Sequence, residues 1–471
     1  MPLSDEQLDI LALFNVEADI VEEVFFWNRD EQAFCRILLL PQPVNCPSCH
    51  NEDVKIKGYE TKRINYGVLT DRKLTLLYKA RRYRCPVCGR TFYEPNPFCF
   101  KAMKISAMTV HNVLRDLKKQ SETFTSAAQR YHISPTSAAS IFDQHVQMDR
   151  LPLPEKLIVD EAYAFVHKGE KSKYVFTILD YDTQEPIDML PSRRLNYLKS
   201  YFLKIPKEER DGVRMIATDM NAEYRILIHD IFPKAIHCAD KFHVVQEMSR
   251  KTDAVRIRVM RSVHKHIKGT SQLTAEYYLL KDFHWMIFKR SDALDTDGKP
   301  LFDPNRPRRM NRKFQRMLNY YDIRQLIEAI HPDLKAAWRL KDELTDFYDD
   351  NTYETAPQAL RDLIQMFSSS GMTEMTHFGR TLRSWNTEII NSFIIVGKSY
   401  RVDKETGQVV ISDRKLNTGL MENRNSIIKT IKKNANGYTN WDRFRNRCLY
   451  VLRRSAAPRL NPIDPKENDK E

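Results

Sequence analysis

The chain has 471 residues, of which 42% are hydrophobic and 29% charged, a composition typical of a folded protein with two to four domains. Its 75 Lys and Arg against 62 Asp and Glu give a formal net charge of +13, which favours an anionic partner, with nucleic acid as the leading candidate. Wholesale disorder is excluded. Folds that bind nucleotide phosphates with a glycine-rich loop are disfavoured, because only 13 residues are Gly and neither GxGxxG nor a complete phosphate loop is present.

The N-terminus is acidic, and no apolar run approaches the roughly 18 residues of a membrane span. We therefore expect neither a signal peptide nor a membrane partner, and we expect the protein to stay inside the cell. Positive charge is concentrated in two stretches. Between Lys55 and Arg90 there are 11 Lys or Arg against 2 acids, and between Met421 and Arg454 there are 9 against 2. Ordinary solvated surfaces are the alternative interpretation of both stretches.

Residues 1–45 predict an N-terminal α+β segment, with a short amphipathic helix and then two strands, 18–27 and 32–40. The segment 46–100 opens and closes with a CxxC knuckle. Two such knuckles joined by β-rich sequence can direct four thiolates at one ion, so the segment predicts a ribbon with structural Zn²⁺. The ligands would be Cys46, Cys49, Cys85 and Cys88.

Other interpretations of the knuckles stay open at this stage. The two knuckles could bind iron, or no ion at all. His50 stands where Gly89 stands in the second knuckle, so the first knuckle is slightly atypical. His50, Cys35 and Cys99 are outside candidates for ligands.

Residues 101–150 predict a helix-turn-helix DNA-binding region. A short helix over 125–131 is followed by a turn and by a second helix that starts at Ser134-Pro135, a favourable N-cap arrangement. DNA recognition would fall to the exposed start of the second helix, at Thr136, Ser137 and Ser140. A plain helical hairpin between two domains is the alternative.

From residue 151 the pattern changes to short apolar strands at 156–165, 174–180, 186–190, 213–219 and 235–239, with helices at 196–203 and 222–231. This order is that of a ribonuclease H fold and predicts the first part of such a core over 151–245. Residues 246–410 predict an all-α insertion, in which most of the residues are helical. Residues 411–456 predict the closing helices of the core, and 457–471 a disordered tail.

Carboxylates at the ends of buried strands carry the chemistry. Asp160 and Asp219 each follow an apolar run, where a charge is costly unless it is solvated, paired or bound to a cation. Glu422, on the polar side of the helix predicted over 418–433, adds a third oxygen donor. Such a set suits Mg²⁺, and two ions would support an in-line attack on phosphorus. Lys429, Lys432 and Lys433 would hold DNA phosphates beside the metals.

Several other residues compete for roles at this site. Glu161 should point to the strand face opposite Asp160. Asp180 ends a neighbouring strand and would support the site if it lay next to Asp160. Asp240 and His243 could line the cleft, although a helix-capping Asp with a packed His is equally consistent. Glu223 is most simply a first-turn helix acid.

With these motifs in order, the chain resembles the DDE transposases of the bacterial ISL-three family of insertion sequences. The resemblance rests on CPSC and CPVCG, the helix-turn-helix, IVDEAY, ATDMNAEY, AIHCADKFHVV and GLMENRNSIIKTIKKNANGYTNWDRFRNRCLY, and it covers about residues 40–455. It implies that Asp160, Asp219 and Glu422 form a catalytic triad that uses Mg²⁺ or Mn²⁺. It also implies that the zinc and helix-turn-helix regions read the transposon ends in double-stranded DNA.

The resemblance further implies a homodimer, in the nucleoid-associated part of the bacterial cytoplasm. It suggests that Trp338 and Trp385 of the insertion could act near unpaired DNA, although both fit a core position better. One departure from the family pattern is Asn423, which stands where the family often has Gly, so the local packing of the last helix is open.

Two other functions are compatible with the sequence. The chain could be a DNA-binding regulator with a silent core, although three carboxylates at these places argue against that. It could also be a metal-dependent nuclease that hydrolyses DNA without strand transfer, since the same metals serve a water or a 3′-hydroxyl as nucleophile.

Overall fold

The computed structural model describes residues 3–14, 16–100, 103–165, 173–268, 273–403 and 406–462. The strands are β1 (Val21–Arg29), β2 (Gln32–Leu39), β3 (Lys55–Leu69), β4 (Arg72–Arg84), β5 (Thr91–Tyr93), β6 (Lys156–Tyr163), β7 (Tyr174–Asp180), β8 (Pro186–Leu190), β9 (Met215–Thr218), β10 (Ile236–Ala239), β11 (Arg309–Asn311), β12 (Arg316–Leu318), β13 (Ile395–Val402) and β14 (Val409–Lys415).

The helices are α1 (Asp5–Phe14), α2 (Ala107–Leu117), α3 (Phe124–Arg130), α4 (Pro135–His145), α5 (Leu195–Leu203), α6 (Lys207–Asp211), α7 (Ala222–Ile231), α8 (Lys241–Ser262), α9 (Ala275–Asp282), α10 (Tyr320–Ile330), α11 (Pro332–Asp350), α12 (Ala356–Ser368), α13 (Thr373–Ser384), α14 (Asn386–Asn391), α15 (Gly419–Asn434) and α16 (Trp441–Leu452). Within the described ranges, no helix is both long and apolar enough to cross a membrane.

The chain divides into two compact units. Unit 1 comprises Met1–Arg150, Ala162–Val175 and Asn425–Glu471, and unit 2 comprises Leu151–Glu161 and Phe176–Arg424. Strands β6 and β7 and helix α15 each contribute residues to both units.

Unit 1 contains a five-stranded sheet in the order β1-β2-β4-β3, with β5 paired to β4. The predicted pair of N-terminal strands is confirmed, since β1 and β2 run antiparallel with Trp27 opposite Phe34. Side chains alternate between the two faces of a strand, and one face of this sheet packs its apolar residues against α1. The buried cluster includes Leu11, Phe14, Ala33, Cys35, Ile37, Leu76, Tyr78 and Phe98.

Helices α3 and α4 begin within one residue of their predicted starts. The Ser134 hydroxyl accepts a hydrogen bond from Ser137 N–H at 3.0 Å, with Pro135 at the first helical position of α4, so the predicted N-cap is confirmed. Thr136 and Ser140 are exposed on the first turns of α4, and Ser137 is half-buried. Helix α16 packs in the same unit, where the Tyr450 hydroxyl donates to Leu114 O at 3.2 Å.

The segment after α16 corrects the prediction of disorder from residue 457. Arg459 N–H donates to His145 O at 2.8 Å, because the last turn of α4 leaves its carbonyl groups without helical partners. The prediction is therefore wrong for the stretch up to this contact. Residues 463–471 lie outside the described residues.

Unit 2 contains a second five-stranded sheet, in the order β10-β9-β6-β7-β8. Strands β7 and β8 are antiparallel, whereas β9 is parallel to β6 and β10 is parallel to β9. Each of these five strands lies within two residues of its predicted bounds. The short helix α6 was missed, because five polar residues (KEERD) carry no apolar periodicity.

The prediction of an all-α insertion is wrong. The helices α8 to α14 share one hydrophobic cluster that includes Trp338 and Trp385, which are 1% and 6% exposed, as expected for core residues. The insertion also contains the β-hairpin β11–β12 and strand β13, and the partner of β13, β14, extends to Lys415, so the segment 411–456 does not consist of helices alone as predicted. The sequence IVGKSYRV followed by VVISDRK is rich in β-branched residues, and Gly407 has a positive φ of 68° at the intervening turn, which explains the larger hairpin.

Candidate active site and zinc centre

Two aspartates stand just beyond the point where the pairing of two neighbouring parallel strands ends. Strands β6 and β9 pair as far as Ile158 opposite Ala217, and Asp160 and Asp219 each follow two residues later. Leu157 and Val159 pack into the cluster on one face of the sheet, and Ile158 packs into the cluster on the other. Alternation therefore places Asp160 on the face of Ile158. The sheet brings the first two predicted site residues to one edge.

Burial makes both carboxylates costly to ionise. The pKa of Asp219 is raised to about 6, first by burial and then by the negative charge of Glu161, with a smaller contribution from Asp160. Burial also raises the pKa of Asp160, whose side chain is 14% exposed. In the described part of the chain, no Lys or Arg forms an ion pair with Asp219. A pair of desolvated oxygen donors of this kind fits a divalent cation.

The imidazole of His243 lies beside Asp160 at this edge of the sheet. It lies in the first turn of α8, and its Nε2 is 3.9 Å from Asp160 Oδ1. Its charge lowers the pKa of both aspartates, although burial outweighs this effect. A cavity of about 470 Å³ adjoins Asp219 and is lined by His243, Gln246 and Arg250 of α8 and by Thr381 of α13. His243 therefore faces the site.

Glu161 has a structural role on the opposite face of the strand, as alternation predicts. Its carboxylate accepts hydrogen bonds from the Tyr224 hydroxyl and from Arg193 Nη1, the latter at 2.5 Å. Tyr224 belongs to the same buried cluster as Leu157 and Val159. Glu161 thus links β6 to α7, and its charge raises the pKa of both aspartates.

Asp240 fixes the helix that carries Glu422. Its buried carboxylate accepts a hydrogen bond from Thr418 N–H at 3.0 Å and one from the Thr418 hydroxyl at 2.6 Å. Asp240 directly follows β10, and its own N–H donates to Thr218 O at 3.0 Å. Asp240 occupies the predicted N-cap position of α8, but its side chain makes no cap hydrogen bond there and binds Thr418 instead. The contact spans 178 residues, which is why sequence reasoning missed Thr418.

Two further contacts hold the first turn of α15. Met421 is fully buried in the cluster that contains Ile158 and Ala217, the residues that lie two positions before the two aspartates. The Arg424 guanidinium donates to Gln184 O at 3.2 Å. Glu422 is exposed and follows Met421 directly, so it stands on the turn that packs against this face of the sheet.

The structure does not bring all three predicted acids into ligand contact. Among the described residues, the four cysteines are the one group of three or more metal-ligating side chains whose donor atoms all lie within 4.8 Å of one another. Asp160 and Asp219 share the sheet edge, but the three carboxylates do not form such a group.

Asp180 and Glu223, the other two acids considered for the site, lie away from Asp160 and Asp219. Asp180 is wrong as a supporting residue for Asp160, because β7 ends beside the start of β6, where Tyr181 N–H donates to Lys156 O at 3.1 Å. The Asp180 carboxylate instead accepts from Asp182 N–H and the Thr183 hydroxyl, both at 2.8 Å. Glu223 is exposed in the first turn of α7, as expected for a helix acid.

The predicted zinc ligands converge. Cys46 Sγ lies 3.5 Å from Cys88 Sγ, and Cys49 Sγ lies 3.5 Å from Cys85 Sγ. Four thiolates at about 2.3 Å from one tetrahedral ion would be about 3.8 Å apart, so the donor set fits Zn²⁺. Backbone N–H groups of Cys49 and Ser48 lower the pKa of Cys46 to about 6, which favours the thiolate form that binds metal.

The two knuckles share one backbone geometry. His50 N–H donates to Cys46 O and Gly89 N–H donates to Cys85 O, at 2.9 and 3.0 Å, and the two residues have positive φ values of 57° and 71°. His50 therefore replaces a glycine conformationally and is not part of the four-sulfur group. Cys35 and Cys99 are not part of it either, and burial raises their pKa to about 12 and about 11.

Both regions of the chain are similar to known proteins. A family model of ISL3 (ISL-three) transposases, described as transposase, matches residues 157–400, just over half of the chain. A second model, described as the zinc-finger of transposase IS204/IS1001/IS1096/IS1165, matches residues 42–88. The chain is 22% identical over 425 residues to the transposase for insertion sequence element IS1001 of Bordetella parapertussis, covering 89% of this chain and 91% of that protein.

Replacing Cys85 by Ser should remove the metal from the ribbon. One zinc per chain is expected in the unaltered protein, and three thiolates leave the tetrahedral site incomplete. Zinc released by a denaturant and measured with a colorimetric chelator should fall to near zero in Cys85→Ser. Cys99→Ser is the matched control and should keep its zinc. Equal zinc content in the two variants would contradict the four-thiolate site.

Replacing Asp219 by Asn should stabilise the metal-free protein at high pH. An acid whose pKa rises from 3.8 to about 6 on folding costs up to about 3 kcal/mol at pH 8, where it is ionised in both states, and less than about 1 kcal/mol at pH 4. The difference in unfolding free energy between Asp219→Asn and the unaltered protein, measured in EDTA, should therefore shrink as the pH falls. A difference independent of pH would contradict the raised pKa. At pH 8, Mg²⁺ should stabilise the unaltered protein and leave the variant unaffected.

Proposed function

This chain belongs to the ISL3 family of insertion-sequence transposases, and we propose that it binds the terminal repeats of its element, cleaves DNA there and joins the freed 3′ ends to target DNA. The observation that carries the proposal is the pair of desolvated aspartates at the ends of adjacent parallel strands, on the sheet face where the first turn of α15 packs.

The topology of unit 2 supports a ribonuclease H-like core. Three strands, β6 to β8, precede two further parallel strands that add on the other side of β6. In open sheets of this kind, functional groups gather where the carboxyl ends of the parallel strands meet. Asp160, Asp219 and Asp240 follow this rule on β6, β9 and β10.

We assign the catalytic carboxylates to Asp160, Asp219 and Glu422. Together they would hold divalent cations, Mg²⁺ or Mn²⁺, which when bound activate a water or a 3′-hydroxyl and stabilise the leaving oxygen. The two aspartates lie in a partly buried site that excludes most water, so their charges act on a cation with little screening. His243 balances part of this charge beside Asp160 and would contact a scissile phosphate. Arg250, on the wall of the adjoining cavity, would pair with a neighbouring phosphate.

The DNA contacts of unit 1 complete the proposal. Helices α3 and α4 would act as a helix-turn-helix, with Thr136, Ser137 and Ser140 reading base edges and the zinc ribbon beside them in sequence. Lys429 and Lys433 are exposed on α15, and Lys432 is half-buried with its Nζ 5.2 Å from the centre of the Tyr163 ring. These lysines would bind phosphates. A homodimer acting on paired ends and an association with the nucleoid stay predictions from the family resemblance.

Removing any one catalytic carboxylate should abolish DNA cleavage and spare DNA binding. Asp160→Asn, Asp219→Asn and Glu422→Gln each take away a metal ligand, and the several kcal/mol supplied by bound metal correspond to a loss of about a thousandfold or more. The assay incubates the protein with labelled DNA that carries its element's ends, in Mg²⁺ or in EDTA, and sizes the products. Glu223→Gln is the control and should cleave normally. Retained cleavage in one of the three variants would remove that residue from the assignment.

Replacing Thr418 by Val should impair cleavage through the position of Glu422. Valine keeps the side-chain shape and the backbone N–H but removes the hydroxyl that Asp240 binds, a buried hydrogen bond to a charged group worth about 1.5–3 kcal/mol. We expect cleavage at least about tenfold slower and a higher Mg²⁺ concentration for half-maximal rate, with unchanged DNA binding in EDTA. Thr418→Ser, which keeps the hydroxyl, should recover most of the rate. Equal rates for the two variants would show that the hydroxyl does not position α15.

A further inference from the structure

The outward face of the sheet in unit 1 carries aromatic rings where a solvent-exposed face is usually polar. Phe25 and Tyr59 are 53% and 51% exposed, and Trp27 and Phe34 are half-buried beside them. None of these four rings belongs to the buried cluster on the other face. The Trp27 and Phe34 rings stack on each other with centroids 5.5 Å apart and an interplanar angle of 13°.

Each part of this aromatic surface also carries a cation. The Arg63 guanidinium lies 5.8 Å from the centre of the Phe34 ring, and the Lys79 ammonium lies 4.9 Å from that of Tyr59. Arg36 lies 5.8 Å from the Phe25 ring and is paired with Glu23 at 2.9 Å. We name the set Phe25, Trp27, Phe34, Arg36, Tyr59, Arg63 and Lys79 the aromatic-basic face.

The strand register explains why these side chains share one surface. Arg36 of β2 and Arg63 of β3 both lie opposite Leu77 of β4, and Lys79 lies two residues further along β4. Thr61, opposite Lys79, belongs to the same face, as does Phe25, opposite Arg36. Four strands at about 4.8 Å spacing make the face about 14 Å wide between the outer backbones, enough for a few nucleotides of an extended strand.

Phosphate contacts alone do not require exposed rings. Cations suffice for the backbone of a duplex, whose bases are already stacked on one another. Exposed aromatic side chains gain most from bases that have left the stack, because each base then offers a flat surface to a ring. We propose that the aromatic-basic face binds an unpaired stretch of DNA, with bases on Tyr59, Phe25 and the Trp27–Phe34 pair, and phosphates on Arg63 and Lys79.

The aromatic-basic face includes Arg63 and Lys79, which belong to the basic stretch 55–90. The proposed catalytic site uses no residue of that stretch. The proposal rests on the proposed function only in taking DNA as the partner. It does not depend on which carboxylates are catalytic, because binding is measured without metal.

The test is fluorescence anisotropy in EDTA with the full-length protein and two labelled probes, a 15-nucleotide oligo(dT) and a 15-base-pair duplex without element ends. Phe25→Leu/Tyr59→Leu keeps two apolar side chains on the sheet but removes the ring faces. We expect it to bind oligo(dT) about 25-fold more weakly or worse, at about fivefold or more for each ring, with duplex binding within about twofold of the unaltered protein. Tyr353→Leu, at an aromatic residue 45% exposed in unit 2, should change neither affinity.

A second variant tests the cations. Arg63→Ala/Lys79→Ala should lower the slope of log affinity for oligo(dT) against log salt by about 1.4, as for two lost phosphate contacts on a single strand. Zinc content equal to that of the unaltered protein shows that unit 1 keeps its fold. Unchanged oligo(dT) affinity in the ring variant would overturn the proposal. Equal weakening of oligo(dT) and duplex would also overturn it, since the rings would then only steady cations that bind a duplex.

Discussion

The catalytic unit depends on one constraint, the desolvation of two like charges at the same edge of a sheet. Parallel pairing of β6 with β9 fixes Asp160 and Asp219 at neighbouring strand ends, and burial raises the pKa of both. Without a cation, the folded protein bears the desolvation cost of the two carboxylates. A bound divalent cation would reduce this cost. Protonated His243 beside Asp160 would reduce the cost without removing it, because burial outweighs its effect on both pKa values.

Contacts at the same edge of the sheet also hold the start of α15, which a long insertion separates from the aspartates in the chain. The third acid lies 203 residues after Asp219 in the chain, and chain connectivity alone cannot hold it near the aspartates. The Asp240–Thr418 hydrogen bonds connect the end of β10 directly to the residue before α15, so the intervening helices form their own hydrophobic core without disturbing the first turn of α15. Met421 then packs against the residues that precede both aspartates. Asp240, a buried acid outside the proposed triad, thus positions the start of α15, while Glu422 is exposed.

The strands of unit 2, the start of α4 and the four thiolates followed from local signals, since the apolar runs, the Ser134-Pro135 cap and the paired CxxC knuckles each lie in neighbouring residues. The roles of Asp180 and Asp240 did not follow in this way. Asp180 ends an apolar strand just as Asp160 does, and only the antiparallel direction of β7 places it at the other end of β6. Asp240 looks like a helix cap in sequence, and its partner is far away in the chain. The larger hairpin of the insertion was missed because seven or eight alternating residues inside a basic helical region give a weak signal.

The zinc ribbon and the aromatic-basic face share the long hairpin of β3 and β4. Cys46 and Cys49 precede β3, and Cys85 and Cys88 follow β4, so a zinc ion would tie together the two open ends of this long hairpin. Closing the ends restricts the unfolded chain and fixes the register of β3 against β4. A slip of one residue would turn Arg63 and Tyr59 to the buried side and bring Ile64 to the surface. The ion would therefore need no contact with DNA to affect the proposed binding, because the register that it fixes decides which side chains the sheet presents.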